Sequence, residues 1–154
     1  MKPFLILQLR PEDAASDGEF RAILEKCQLE AGDVQRARLE RETLPGSLDL
    51  RDYSGVIVGG GPGCVSDPPD EKSAQDAEIE AQVMALMPQI IEQDLPFMGC
   101  CYGLGILAHY LGGEVSKKQF GEPVGPATCS LTDEGKQDPL TKGLAPVFEA
   151  FVGH

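Results

Sequence analysis

The sequence lacks any apolar run of the roughly 20 residues that a transmembrane helix needs. Its first residues, from Met1 to Gln8, turn polar too soon for a secretory signal peptide, whose apolar region takes roughly 7–15 residues. Positive charge is also scarce, because 13 Lys and Arg residues against 25 Asp and Glu residues leave a net charge of −12. Such a chain repels phosphate backbones and anionic head groups, so neither nucleic acid nor a membrane surface is expected as a partner.

Cysteines paired at Cys-x-x-Cys spacing are absent as well, although the chain has five cysteines. An odd number of cysteines in a chain without an export signal indicates reduced thiols in the cytosol. We therefore expect a cytoplasmic protein rather than a secreted disulfide scaffold. Its 154 residues, 42% of them hydrophobic, suit a single globular domain over residues 1–154.

Short apolar runs alternate with segments of helical periodicity through the first 113 residues. The predicted strands are Pro3–Leu9, Val34–Leu39, Tyr53–Val58 and Pro96–Cys100. The predicted helices begin after an Asp17 cap, after a Ser73 cap and at Tyr102, and Pro88 predicts a kink or an early end of the second. This alternation predicts an α/β fold, a three-layer αβα sandwich with a mostly parallel sheet and helices on both faces.

The pattern changes near residue 114. From Glu114 onward it becomes strand-like, with Ala127–Thr132 and Val147–Val152 as the best candidate strands. The segment Gly135–Leu144 between them is predicted as loop.

The turn Gly99-Cys100-Cys101-Tyr102-Gly103 joins the fourth predicted strand to the helix that follows it. It is the cysteine counterpart of a nucleophile elbow, in which glycines let a sharp, strained strand-to-helix turn present the nucleophile. Only Cys101 has glycine two residues before and two residues after it, whereas Cys100 is expected to point into apolar packing. At a helix start, Cys101 is favoured as thiolate, and the free N–H of Tyr102 can donate to a developing oxyanion. The alternative is that both cysteines are buried apolar residues in a tight turn.

A second glycine-rich turn, Gly59-Gly60-Gly61-Pro62-Gly63, follows the third predicted strand. In a parallel sheet, ligands bind at the carboxyl ends of the strands, where a bare backbone can offer N–H groups. The spacing does not favour a dinucleotide loop, since Pro62 removes a donor, and the Gly-Lys-Ser/Thr of a Walker A loop is absent. No cofactor is therefore expected. A plain glycine turn without function remains the alternative.

The chain has two histidines. His109 lies about two helical turns from Cys101 on the same helix, which is too far for it to act as the base. His154 follows the strand-like segment Val147–Val152, and it is the remaining candidate for the base that a cysteine nucleophile needs. Cys100, Cys101, His109 and His154 lack any recognisable ligand spacing, so no metal site is expected.

Taken together, these segments resemble class I glutamine amidotransferase domains of the GMP-synthase-like group. Val58–Gly63 looks like the oxyanion loop of that family, and Pro96–Gly103 looks like its nucleophile strand and elbow. Leu111–Val115 is similar to the segment that ends the following helix, and Phe148–His154 is similar to the strand that carries the catalytic histidine. The combination, which extends from about Tyr53 onward, is far more specific than any single piece.

The resemblance implies the three-layer fold and a reaction. By it, Cys101 is the nucleophile, His154 is its base, and Gly61 and Tyr102 supply the oxyanion N–H groups. The substrate implied is glutamine or a related amide, which is hydrolysed through a γ-glutamyl thioester with release of ammonia. A synthetase domain or subunit that accepts the ammonia is implied as a partner.

Two departures from the family pattern leave alternatives open. Gly105 stands where the family commonly has a Gln that helps to hold the substrate. The acidic residue expected two positions beyond His154 would fall after the end of the sequence, so the fold is expected to lack its C-terminal part. One alternative is a cysteine hydrolase of another γ-glutamyl or related amide on the same fold. The other is a non-catalytic, amidotransferase-like binding or regulatory domain.

Overall fold

The structure of the protein is a computed structural model that describes residues 2–153. The chain divides into two compact units, the first ending at Val115 and the second beginning at Ser116. The elements of the first unit, in chain order, are β1 (Phe4–Gln8), α1 (Asp13–Cys27), β2 (Val34–Arg38), β3 (Gly55–Val58), α2 (Ala74–Glu92), β4 (Phe97–Gly99) and α3 (Tyr102–Tyr110). Those of the second unit are α4 (Lys117–Phe120), β5 (Gly125–Ser130) and β6 (Val147–Val152).

The first unit contains a four-stranded parallel sheet with the strand order β2-β1-β3-β4. Leu7 pairs with Val58, and Val58 pairs with Gly99, so three strands end at the same level. Because the strands are parallel, the segments that follow β1, β3 and β4 emerge together at the carboxyl edge. This edge carries both glycine-rich turns.

Helices cover both faces of this sheet. On one face, the apolar side of α2 and the start of α3 pack against β1 and β3 in the larger core cluster. On the other face, Ile6 and Ile57 pack against Ile23 of α1. This alternation of buried side chains confirms the predicted three-layer αβα arrangement and the mostly parallel sheet.

The four predicted strands of the first unit are confirmed with slightly shorter bounds. The predicted start of α1 is wrong, since the helix already begins at Asp13 with Glu12 in the N-cap position. Asp17 does not cap the helix because it lies inside it, and its carboxylate accepts a hydrogen bond from Arg36 at 2.8 Å. Asp13 occupies the first turn and accepts a hydrogen bond from Arg38 of β2.

Of the two outcomes predicted at Pro88, a kink or an early end of the helix, the early end is wrong. Helix α2 continues through Pro88 to Glu92, and it is capped at its start by Ser73, whose hydroxyl accepts from the Asp76 N–H at 3.0 Å. Met87 and Ile90, on either side of the proline, are buried in the core cluster. Burial of this apolar face outweighs the single backbone hydrogen bond that proline removes.

The second unit contains an antiparallel pair, β5 and β6, in which Gly125 faces Val152 and Ser130 faces Val147. The prediction of β6 is confirmed, whereas β5 begins two residues earlier than predicted. The strand-like reading from Glu114 onward is wrong for its first part, because Lys117–Phe120 form a short helix capped by the Ser116 hydroxyl. No helix within residues 2–153 has the length and apolar character needed to cross a membrane.

Candidate functional site

The turn between β4 and α3 has the strained geometry expected of a nucleophile elbow. Cys101 stands at the N-cap of α3 with φ 52° and ψ −103°, a backbone conformation that a residue with a side chain rarely adopts. Its side chain is exposed. The sharp turn therefore presents this thiol to solvent at the carboxyl edge of the sheet.

The two glycines that flank the elbow are required by close backbone packing. A Cβ atom on Gly99 would lie 2.5 Å from the carbonyl carbon of Gly103. A Cβ atom on Gly103 would lie 2.6 Å from the carbonyl oxygen of Val58 in β3. Neither contact leaves room for a side chain, so the Gly-x-Cys-x-Gly spacing has a steric cause.

The triple-glycine turn after β3 lies against the elbow. A Cβ atom on Gly60 would lie 3.4 Å from the Cβ of Cys101. A Cβ atom on Gly61 would lie 3.0 Å from the Tyr102 ring. The two turns are thus neighbours across the ends of β3 and β4.

The backbone N–H groups of this turn differ in what they bind. The Gly59 N–H donates to the carbonyl oxygen of Leu7 at 2.9 Å, and the Gly60 N–H donates to Glu19 Oε1 at 2.8 Å. In contrast, the N–H groups of Gly61 and Tyr102 have no acceptor among the described residues. These are the two groups that the resemblance implies as oxyanion donors, and that role stays a prediction.

Cys100, the other thiol of the elbow, has a different environment. It is half-buried, and burial raises the pKa of its thiol. The negative charge of Glu19 raises this pKa further. The prediction that Cys100 points into apolar packing is therefore only partly right, because the Glu19 carboxylate approaches the turn from α1. Both effects, burial and the Glu19 charge, disfavour ionisation of the Cys100 thiol.

Tyr102 anchors the elbow through its side chain. The ring is buried, and its hydroxyl donates to Glu80 Oε2 of α2 at 2.7 Å. Burial and the Glu80 carboxylate both raise the pKa of Tyr102, so the phenol stays protonated. Lys72 Nζ binds both oxygens of Glu80 at 2.8 Å and also donates to the carbonyl oxygen of Val65 at 3.3 Å. This chain of contacts connects α2, the 59–65 loop and the elbow.

Sequence reasoning missed Glu19 as a part of this site. Its Oε2 accepts from Gln8 Nε2 at 2.9 Å, and its Oε1 accepts from Arg10 Nε at 3.1 Å as well as from Gly60. Gln8 is fully buried, and Ser16 holds its side-chain amide in place. The Ser16 carbonyl oxygen accepts from Gln8 Nε2, and the Ser16 hydroxyl donates to Gln8 Oε1. Glu19 and Gly60 are 41 residues apart, and no local pattern relates them.

Of the two histidines, His109 is among the described residues and His154 is not. His109 lies on α3 with an exposed side chain, away from the start of the helix. His154 lies outside the described residues, and its role as the base stays a prediction. Between residues 2 and 153, no group of three or more His, Cys, Asp or Glu side chains is arranged to hold a metal ion.

Position 105 is open. A Cβ atom on Gly105 would contact Val65 at 3.8 Å and Val115 at 3.9 Å, both ordinary van der Waals distances. The Gly105 N–H donates to the carbonyl oxygen of Cys101 at 3.0 Å, so the two residues lie one helical turn apart on the same side of α3. A side chain at this position would therefore stand beside the elbow.

Comparison with known proteins gives a consistent result. The family model described as glutamine amidotransferase class-I matches residues 21–154. The chain is 33% identical over 133 residues to a glutamine-hydrolyzing GMP synthase of Thermomicrobium roseum, covering 83% of this chain and 22% of that protein. It is 31% identical over 126 residues to a glutamine-hydrolyzing GMP synthase of Symbiobacterium thermophilum, covering 79% of this chain and 21% of that protein.

A solved structure, a glutamine amido transferase from Methylobacillus flagellatus, superposes with a TM-score of 0.70 at 25% identity. The match covers 100% of this chain and 55% of that one. The chain thus spans about a fifth of the length of the GMP synthases it matches and about half of the solved amidotransferase.

Proposed function

Since the chain belongs to the class-I glutamine amidotransferase family, we propose that it hydrolyses the side-chain amide of glutamine through Cys101. The observation that carries this proposal is the elbow itself. An exposed thiol stands at a positive-φ helix start, and two unoccupied N–H groups, those of Gly61 and Tyr102, belong to adjoining turns. This arrangement suits attack on a carbonyl carbon with stabilisation of the resulting oxyanion.

The proposed reaction has two steps. His154 takes the proton of the Cys101 thiol, and Sγ forms a bond to the amide carbon. The carbon–nitrogen bond then breaks, and the nitrogen leaves as ammonia after taking that proton from His154, which leaves a γ-glutamyl thioester. In the second step His154 takes a proton from water, the water oxygen bonds to the thioester carbon, the carbon–sulfur bond breaks, and His154 returns the proton to Sγ, so that glutamate and the free thiol are released. The N–H groups of Gly61 and Tyr102 stabilise the oxyanion in both steps.

A partner is part of this proposal. The two relatives described above are named as glutamine-hydrolyzing GMP synthases, and the ammonia that such a domain releases needs an acceptor. We propose that a synthetase domain or subunit receives it. The cytoplasm is the proposed compartment, because an odd number of cysteines without Cys-x-x-Cys pairs favours reduced thiols.

The test is ammonia release from L-glutamine by the full-length protein, with and without its cognate synthetase. We expect Cys101→Ala to reduce the rate by at least about a thousandfold, because it removes the attacking atom. Cys100→Ala is the matched control, since it removes the neighbouring thiol and is expected to retain most of the activity. Equal activity of the wild type and Cys101→Ala would contradict the proposed nucleophile.

Gly105 favours a second candidate function. Position 105 lacks the Gln side chain that helps to hold glutamine in the family, and a Cβ atom there would make only ordinary contacts, so a cysteine hydrolase of γ-glutamyl or related amides is the alternative. Release of product from γ-glutamyl peptides but not from glutamine would favour it. An unreactive Cys101 with no turnover of either substrate would favour a binding or regulatory domain.

A further inference from the structure

Arg10 lies at the carboxyl edge of the sheet, near both glycine-rich turns. It lies two residues beyond the end of β1, and about a third of its side chain is exposed. Its Nε donates to Glu19 Oε1 at 3.1 Å, and the same carboxylate oxygen accepts the Gly60 N–H at 2.8 Å. Glu19 therefore fixes the plane of the guanidinium relative to the triple-glycine turn.

The free end of the guanidinium lies beside the elbow. A Cβ atom on Gly60 would stand 2.7 Å from Arg10 Nη2 and 3.4 Å from the Cβ of Cys101. Arg10 and Cys101 thus border the same small volume above the bare Cα of Gly60. A side chain at position 60 would fill that volume.

The Nη groups of Arg10 have no acceptor among residues 2–153, since its one hydrogen bond there is made by Nε. Other cations close to the site are engaged. Lys72 binds both oxygens of Glu80, and Arg36 binds Asp17, Gln8 and Ser16. Arg10 forms an ion pair with Glu19 through Nε, but its Nη donors stay open next to the reactive thiol, so in a chain with a net charge of −12 they are the local donors that attract an anion.

We propose that Arg10 binds a carboxylate of the substrate and so selects amides that carry one. The inference rests on the proposed function of Cys101 and names the substrate class of the same site. The α-carboxylate of glutamine lies four carbon–carbon bonds from the amide carbon, a span of about 5 Å with bonds of about 1.5 Å. A guanidinium that keeps its Nη groups free can bind a carboxylate through two parallel hydrogen bonds. Glu19 acts as a positioning residue, because it holds Arg10 and Gly60 together.

The experiment compares L-glutamine with L-glutamine methyl ester, which retains the amide and lacks the carboxylate charge. In the full-length protein, Arg10→Gln is expected to lower kcat/KM for L-glutamine about 10- to 100-fold, mainly through KM. The same change is expected to alter kcat/KM for the methyl ester by less than about threefold. Arg10→Lys, which keeps the charge and loses the planar fork, is expected to be intermediate. Arg21→Ala, an exposed arginine of α1, is the control that should leave both substrates unaffected.

A second measurement does not depend on turnover. Iodoacetate carries a carboxylate, and iodoacetamide is its neutral counterpart. Tandem mass spectrometry measures the rate at which each reagent alkylates Cys101, and the ratio of the two rates reports how strongly the site attracts a carboxylate. Arg10→Gln is expected to slow iodoacetate relative to iodoacetamide by at least about threefold. An unchanged ratio, or an equal loss of kcat/KM for both amides, would overturn the proposal and make Arg10 a support of the elbow. If no variant or wild type releases ammonia, the proposed function fails, and the alkylation ratio still decides the role of Arg10.

Discussion

The Cα atom of Gly99 faces the carbonyl group of Gly103 across the elbow, so closely that a Cβ atom on Gly99 would lie 2.5 Å from the carbonyl carbon. A Cβ atom on Gly99 would come within 2.6 Å of both the Gly103 oxygen and the Leu104 nitrogen. The end of β4 and the start of α3 can therefore approach each other only because Gly99 lacks a side chain, and α3 can approach Val58 of β3 only because Gly103 lacks one. Cys101, which lies between the two glycines, has a positive φ of 52°.

The first prediction concerns these contacts. Gly99→Ala and Gly103→Ala are each expected to lower the free energy of unfolding by about 1–3 kcal/mol, because the backbone must shift to admit a methyl group. The measurement is urea-induced unfolding followed by circular dichroism. Gly105→Ala is the matched control on the same helix, where a Cβ atom meets nothing closer than 3.8 Å. It is expected to be neutral or to stabilise the protein by up to about 1 kcal/mol, since alanine favours a helix over glycine. Comparable losses at all three positions would contradict the steric account.

The features that could be predicted from the sequence are those with a local cause. The strain at Cys101 follows from two glycines within two residues of it, and the start of α2 follows from Ser73 three residues before Asp76. The apolar runs predicted the four parallel strands, because a strand covered on both faces must be apolar throughout. Such signals lie within a few residues of the feature that they predict.

The features that could not be predicted depend on partners distant in sequence. Glu19 meets Gly60 across 41 residues, and Tyr102 meets Glu80 across 22. The start of α1 is a further example. Asp17 has the residue type of a cap, yet Arg36 of β2 takes its carboxylate. Long-range contacts thus decide the environment of the site, and no local pattern in the sequence indicates them.

The second prediction concerns the open position beside the nucleophile. Gly105→Gln is expected to lower KM for L-glutamine several-fold with less than about a twofold change in kcat. A side chain four residues after Cys101 leans back toward the helix start, where its amide can hydrogen-bond a bound amino acid. Steady-state ammonia release measures both constants. Leu104→Gln, which places the same side chain at an exposed neighbouring position, is the control. A raised KM would instead show that the added side chain obstructs the bound amino acid and would contradict this prediction.

The third prediction concerns the phenol that connects the elbow to α2. Tyr102→Phe removes the hydrogen bond to Glu80, which remains bound to Lys72. Because a partly buried carboxylate loses one donor, we expect the free energy of unfolding to fall by about 1–2 kcal/mol at pH 7. Urea unfolding of the wild type and the variant at matched pH provides the measurement.

The difference between wild type and Tyr102→Phe should also depend on pH. Burial and the Glu80 carboxylate raise the pKa of Tyr102 in the folded state above the value of about 10 that tyrosine has in an unfolded chain. The phenol's contribution is therefore complete below pH 10 and is lost as the pH rises above 10, where the unfolded chain releases the proton first. Tyr53, whose pKa is also raised by burial, titrates equally in both proteins and cancels in the difference. We expect the gap in unfolding free energy to be constant up to about pH 10 and to narrow as the pH rises from about 10 to 11. A gap that stays constant over this interval would show that the Tyr102 hydroxyl is not held protonated against Glu80.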